Sequence, residues 1–231
     1  MRPWGRRVAE LTFACMDAQA LPWAAGPTLR FRLRITAPEG VRVHALVLSC
    51  QLRIDPRARP YSDAEAQGLD YVFGAPARWA TSMQALHFAT VGVTVPGFTG
   101  TTECDLMVPC TYDLEPGLGK YLHALAEGTV PMTFLFSGTL FEAPAGGAGV
   151  QVGRVPWDRE AAYALPVVVW RELMDLYFPD TAWLRLRRDT VDALLRHQAR
   201  HAVPTADELL TSLLAAQAPA EEEDGLCPTP R

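Results

Sequence analysis

Lysine is nearly missing from this sequence. Lys120 is the only one among 21 basic residues, so the positive charge is carried by arginine. Arginine codons are GC-rich, and a coding bias explains the count, so arginines point to a site only where they are arranged. Cysteine is sparse too. Cys15, Cys50, Cys104, Cys110 and Cys227 form an odd set without the density of a secreted disulfide scaffold. No apolar run approaches the roughly 20 residues of a membrane span. After Arg2, Arg6 and Arg7, Glu10 interrupts the stretch a signal peptide needs. Phe13-Ala14-Cys15 hints at a lipoprotein cleavage box, but Thr12 stands where a large aliphatic residue belongs. The net charge of −5 repels nucleic acid and anionic membrane. A cytoplasmic protein with neither as a partner is expected.

The familiar catalytic signatures are also missing: the P-loop, the H-E-x-x-H zinc helix and the G-x-S-x-G elbow. Gly147, Gly149 and Gly153 touch the dinucleotide pattern, but the residues after them alternate as a strand and open no helix to hold a phosphate. A turn explains them better. Nothing here asks for a cofactor, and an enzyme is the less favoured class.

What is present is periodicity. Leu29, Phe31, Leu33 and Ile35 alternate with Arg30, Arg32 and Arg34; after Pro38-Glu39-Gly40, the residues His44, Leu46, Leu48, Cys50, Leu52 and Ile54 alternate again. Joined as a hairpin with Thr36 opposite Val41, the two runs would share one apolar face, with His44 on it as a hydrogen-bonded core histidine. Ser62 and Glu65 have capping-box spacing and predict a helix to about Phe73. Strands are expected over 85–95, ending in a turn at 96–100, then over 102–108, over 130–141 as a central strand covered on both faces, and over 150–155. A short helix is expected over 120–126 and a turn over 144–149. Beyond Trp157 the periodicity turns helical, with Pro166 in a first turn and Pro179 as a stop. Asp189 is placed to cap a helix to His201, and Thr205 with Glu208 repeats the capping box. Strands first and helices last give an α+β class on antiparallel sheet, sandwich-like or SecB-like. It reads as one domain over 8–214, with a flexible start at 1–7 and a disordered acidic, proline-rich tail over 218–231.

Candidate sites are few. Arg30, Arg32 and Arg34 share one strand face. In the hairpin register they lie beside Val43, Ala45 and Val47, a row suited to an acidic partner or a small anion. The alternatives are stems lying over the sheet with their heads in water, or pairing with Glu103 and Asp105. Cys104 and Cys110 lack usual zinc spacing, and Cys110, after Pro109 at a strand end, is the better candidate for an exposed thiol. His197 and His201, one helical turn apart, could chelate a metal from one face; Arg196 and Arg200 beside them favour a solvated basic helix. Trp157, Trp170 and Trp183, with Tyr163, Tyr177 and Phe178, are expected in the core where helices meet the sheet.

The segments Val95-Pro96-Gly97-Phe98-Thr99-Gly100, Val108-Pro109-Cys110-Thr111-Tyr112-Asp113 and Trp183-Leu184-Arg185-Leu186-Arg187-Arg188-Asp189-Thr190 resemble a bacterial family of unknown function, over about residues 8 to 214. Its genes often lie near those of uptake NiFe-hydrogenases. The resemblance implies an accessory or assembly role with a protein partner, such as a hydrogenase subunit or maturation factor. It carries over no catalytic residue. A fainter resemblance is to the export chaperone SecB. Leu165-Pro166-Val167 through Leu173, Met174 and Tyr177 is similar to its late helix, and Glu10-Leu11-Thr12-Phe13 to its opening strand. That likeness implies a client-holding homo-oligomer. This chain departs from it in the 62–73 helix, the arginine row and the stretch after Phe178. The expected function is therefore a non-enzymatic interaction protein. The alternatives are a SecB-like holding chaperone and a Cys/His metal-handling protein or enzyme.

Overall fold

The computed structural model describes residues 9–110, 116–144, 149–181 and 186–217. The expectations for 1–7, most of the 144–149 turn, Trp183, Arg185, Cys227 and the tail lie outside the described residues. The chain divides into two compact units, Met1–Ala182 and Trp183–Arg231.

Alternating runs build the first unit. Its strands are Thr12–Ala20 (β1), Thr28–Thr36 (β2), Arg42–Ile54 (β3), Leu86–Thr99 (β4), Thr101–Pro109 (β5), Thr129–Glu142 (β6) and Gln151–Pro166 (β7). They form two antiparallel sheets, β1-β2-β5 and β4-β3-β6-β7. Leu29, Phe31, Leu33 and Ile35 face Leu46, Leu48, Leu52, Phe134 and Phe136 in one buried layer. Phe31 meets Phe134 edge-on at 5.2 Å between centroids, and Phe13 stacks on Phe136 at 4.2 Å. Each such side chain taken from water contributes roughly 1.5–3 kcal/mol, which drives the sheets together. This is the expected α+β architecture on antiparallel sheet.

The hairpin of 29–35 with 44–54 does not form. β2 pairs with β1 and β5, whereas β3 pairs with β4 and β6. Alternation states which face is inside, not which strand lies alongside, and an arch between two sheets satisfies it as well as a hairpin. Pro38-Glu39-Gly40, with Gly40 at φ 79°, carries the chain across. Gly100, at φ 67°, carries it back between β4 and β5, and its carbonyl accepts from Ala37 N–H at 2.7 Å, tying the two crossings together.

Other boundaries differ for local reasons. A bulge between Val43 and Ala45 turns His44 out to solvent, so it is not a core histidine. The expected turn at 96–100 is strand as far as Thr99, because Gly97 lets β4 pass close to the His44 carbonyl, where a Cβ would sit at 2.9 Å. β7 stays extended through 157–166, where helical periodicity was expected. A bulge opposite Ser137, between Val155 and Arg159, shifts its phase so that alternate positions resemble helical spacing. Trp157 lies in that bulge and is 89% exposed, not core. β6 is central as expected, but only one of its faces is fully buried; Thr133, Leu135 and Thr139 on the other are half-covered and Ser137 is exposed.

Helices Asp63–Phe73 (α1), Trp79–Ser82 (α2), Pro116–Ala124 (α3) and Val167–Tyr177 (α4) complete the unit. α1 begins on the predicted capping box: Ser62 accepts from Glu65 N–H, and Glu65 reaches back to Ser62 N–H. Its Leu69 and Phe73 are buried with Leu118, Tyr121 and Leu122 of α3. In α4, Trp170 is buried edge-on to Phe88.

In the second unit, Arg188–His201 (α5) and Ala206–Gln217 (α6) form a pair of helices. Arg187, not Asp189, occupies the cap of α5, and Asp189 lies in the first turn, where it complements the helix dipole. Thr205 Oγ1 accepts from Glu208 N–H at 3.1 Å at the start of α6, as its spacing predicts.

Candidate interaction surface

On the outer face of the β1-β2-β5 sheet, the strand register sets Arg30, Arg32 and Arg34 between two neighbours. Gln19 and Asp17 of β1 lie opposite Arg30 and Arg32, and Met107, Asp105 and Glu103 of β5 lie opposite the three arginines in turn. They do not lie beside Val43, Ala45 and Val47, since β3 belongs to the other sheet. The face is an internal charge ladder. Arg32 Nε donates to Asp105 Oδ1 at 3.0 Å, and Arg34 donates to Glu103 Oε1 from Nη2 at 2.7 Å and Nε at 3.1 Å. Arg30 bonds Gln19 Oε1 and lies 3.8 Å from Asp105. The hydrogen bond to Asp105, and then its charge, hold the Arg32 guanidinium above its ordinary range. An acidic partner at this row would have to displace Glu103 and Asp105.

Among the described residues, the cysteines and histidines do not converge on one centre. Cys104 and Cys15 flank Leu33 in one row of the sheet, so two strand spacings, about 10 Å, separate their backbones, beyond disulfide reach. Cys50 approaches from the opposite sheet, and burial pushes the Cys15 and Cys50 thiols up to about 12. Cys110 is only 3% exposed, so it is not the accessible thiol expected of it. Its N–H donates to Pro27 O at 2.7 Å, and burial pushes its thiol up to about 12 as well. Cys104 lies within β5 and Cys110 just past its end, roughly 20 Å apart along the extended chain. The His197 and His201 rings lie tilted against each other on α5, with centroids 4.3 Å apart. Among the described residues, no group of three His, Cys, Asp or Glu is placed to hold a metal ion. No helix among them is long and apolar enough to cross a membrane.

The most distinctive surface feature was missed in the sequence. The loop 21–27 between β1 and β2 presents Trp23 at 95% exposure. The loop carries no charge and is closed from three sides. Leu21 N–H donates to Thr28 O at 3.0 Å, and Thr28 Oγ1 donates to Gly26 O at 2.9 Å. From α4, the Tyr177 hydroxyl accepts from Ala24 N–H at 3.1 Å and reaches Leu21 O at 2.7 Å and Ala24 O at 3.1 Å. Cys110 holds Pro27 at the far end. The backbone beneath Trp23 is fixed in this way, so the ordering cost of the loop main chain is met before any partner arrives. The signal available in the sequence was a tryptophan enclosed by Pro22, Gly26 and Pro27, a turn with a large apolar residue at its tip.

The arginine ladder and the Trp23 loop belong to one sandwich, and that sandwich lies within a stretch matched over residues 8–222 by the model of a family of unknown function, DUF6084. The chain belongs to DUF6084. Within the DUF6084 match fall all the described elements, both the sandwich and the α5–α6 pair. No curated protein and no solved structure matches the chain.

Proposed function

We propose that this protein is a non-enzymatic accessory protein that binds another protein, with the 21–27 loop as anchor and Trp23 as the inserted side chain. The observation that carries the reading is the fully exposed indole on a hydrogen-bonded, uncharged loop. Tryptophan is the side chain most enriched at binding hot spots, because a large rigid apolar body is buried at little entropic cost. The partner offers a concave apolar pocket. The loop suits this role better than the arginine row, whose donors already have carboxylate partners on their own sheet. The resemblance of the motif segments to a family encoded near NiFe-hydrogenase genes supports a hydrogenase subunit or maturation factor as that partner, met in the cytoplasm.

The test is affinity purification of the tagged chain from its native host during hydrogenase expression, followed by mass spectrometry, with Trp23→Ala in parallel. Enrichment of hydrogenase subunits or maturation factors that Trp23→Ala removes is the expected result. Enrichment that Trp23→Ala leaves intact moves the contact elsewhere. A population of unrelated unfolded chains favours the SecB-like holding role instead.

A further inference from the structure

Among the described strands the two sheets have four edges, β1 and β5 in one and β4 and β7 in the other. Three of them are guarded against adding a strand. β1 has Asp17 beside a bulge, β5 has Glu103 and Asp105, and β7 has a bulge with Pro156, Asp158, Arg159 and Glu160. β4 is different. It has no Asp, Glu, Lys or Arg from Leu86 to Thr99, and from Ala89 to Val95 it runs beside β3 without a register shift. Among the described residues it pairs on its β3 side only. Asp55 N–H donates to Pro131 O at 3.0 Å, so odd-numbered residues of β3 turn their backbone bonds to β6 and even-numbered ones to β4. The β4 partners of Leu46, Leu48, Cys50 and Leu52 are Val95, Val93, Val91 and Ala89. The N–H and C=O groups of Thr90, Gly92 and Thr94 therefore point out of the sheet. Pro96, with no N–H to give, falls on the same outward side, where proline is tolerated.

We infer that this edge pairs with the same edge of a second copy, antiparallel and centred on Gly92, joining two four-stranded sheets into one. The sequence selects the occupant. Thr90-Val91-Gly92-Val93-Thr94 reads the same in both directions. A two-fold axis at Gly92 therefore sets Thr90 opposite Thr94 of the second copy, Val91 opposite Val93, and glycine opposite glycine. The outward groups of Thr90, Gly92 and Thr94 meet their counterparts in about six backbone hydrogen bonds. Val91 and Val93 are half-buried against the core, and across the seam each covers the other, so the apolar layer continues from one copy to the next. The exposed threonines pair on the outer face. An unrelated strand would need to match this row by its own design, whereas a second copy matches it by symmetry. The same chain offers no such strand: α5 and α6 use their backbone bonds within the helix, and no stretch outside the described residues has an uncharged alternating run of this length. Seven residues span about 24 Å, so the interface is a small one and the dimer is weak.

Sedimentation equilibrium of the full chain, from micromolar to near-millimolar concentration, tests this. The expected result is a monomer–dimer equilibrium. Thr90→Lys combined with Thr94→Lys sets lysine opposite lysine twice in each dimer and should weaken it by roughly tenfold or more. Thr90→Lys combined with Thr94→Glu sets lysine opposite glutamate twice and should keep the dimer at least as strong as the unmodified one. Both positions are exposed, so neither pair of substitutions disturbs the core. Hydrogen exchange of the unmodified chain gives a readout independent of any variant. The Thr90, Gly92 and Thr94 amides should gain protection as concentration rises, while those of Val91 and Val93 are protected throughout by β3. A chain that stays monomeric overturns the inference. So does a dimer that the two double variants affect alike, or one in which the Thr90, Gly92 and Thr94 amides gain no protection.

Discussion

The Tyr177 hydroxyl lies 2.7 Å from the carbonyl of Leu21, tying the end of α4 to a loop 156 residues earlier in the chain. It also accepts from Ala24 N–H, so one phenol fixes the backbone on both sides of Trp23. Tyr177→Phe keeps the ring and its packing and removes only these bonds. Stability should fall by about 1 kcal/mol, the usual worth of such a bond. The larger effect should be local: faster exchange at the Ala24 amide and lower steady-state anisotropy of Trp23, measured with the other tryptophans replaced by phenylalanine. Unchanged exchange at Ala24 would show that the loop is held by its other contacts.

Much of the sandwich was legible before any coordinates. The alternation of Leu29, Phe31, Leu33 and Ile35 with arginines marked a strand with one buried face, and Ser62 with Glu65 marked a helix start to the residue. What alternation does not encode is the neighbour. β2 and β3 have matching inner faces, and that match is equally satisfied side by side or across the core, so the arch at 37–41 was read as a hairpin. The carboxylates facing Arg32 and Arg34 were named as one option from the sequence, because Glu103 and Asp105 alternate on their own strand. Choosing between pairing and an open row required knowing that β5 lies beside β2. Trp23 was passed over because exposure is a property of packing, and nothing in its spacing separates an indole in solvent from one in the core. Bulges are equally silent in sequence, which is why His44 and Trp157 changed sides.

Arg59 and Glu65 form a buried ion pair at 2.9 Å, and its pH dependence has a definite sign. Burial alone would raise the Glu65 carboxyl. The Ala126 and Ser62 N–H groups, at 2.8 and 3.0 Å, together with Arg59, outweigh it and hold the carboxyl below its ordinary 4.5. A carboxyl depressed in the folded state contributes stability above its unfolded pKa and loses it as pH falls through the folded value. Urea denaturation should therefore show the unmodified protein weakening from about pH 5 downward. Glu65→Gln should cost about 3 kcal/mol at neutral pH by stranding Arg59, and its stability should fall less steeply in acid. Parallel curves for the two proteins would show that Glu65 titrates normally.

Gly138 in β6 is required by a close approach. A Cβ there would sit 2.2 Å from the Val47 carbonyl oxygen and 3.1 Å from Leu48 Cα, both backbone atoms of the neighbouring central strand. Neither can rotate away, so Gly138→Ala must part β3 from β6. A loss of about 3 kcal/mol is expected, at the upper end of overpacking effects. Gly92→Ala offers the contrast, since its Cβ would meet Leu48 O at an ordinary 3.6 Å. Thermal melts of the two variants should separate widely; equal melting points would show that the β3–β6 pairing relaxes around the methyl.

Thiol labelling distinguishes structural from reactive cysteines. With Cys15, Cys50 and Cys110 pushed up to about 12 and Cys104 raised by burial, the thiolate form is scarce at pH 8, about one part in ten thousand for the first three. The thiolate is the attacking species, so native protein carrying Cys227→Ser should react with an aromatic disulfide reagent only slowly. The rate should climb with urea, because the thiols become available as the sandwich opens. Fast stoichiometric labelling of Cys104 in native protein would reverse the assignment, since a half-buried thiol that reacts ahead of unfolding has an activated sulfur. Labelling that tracks unfolding instead makes the row Cys15–Leu33–Cys104 part of the packing between the sheets.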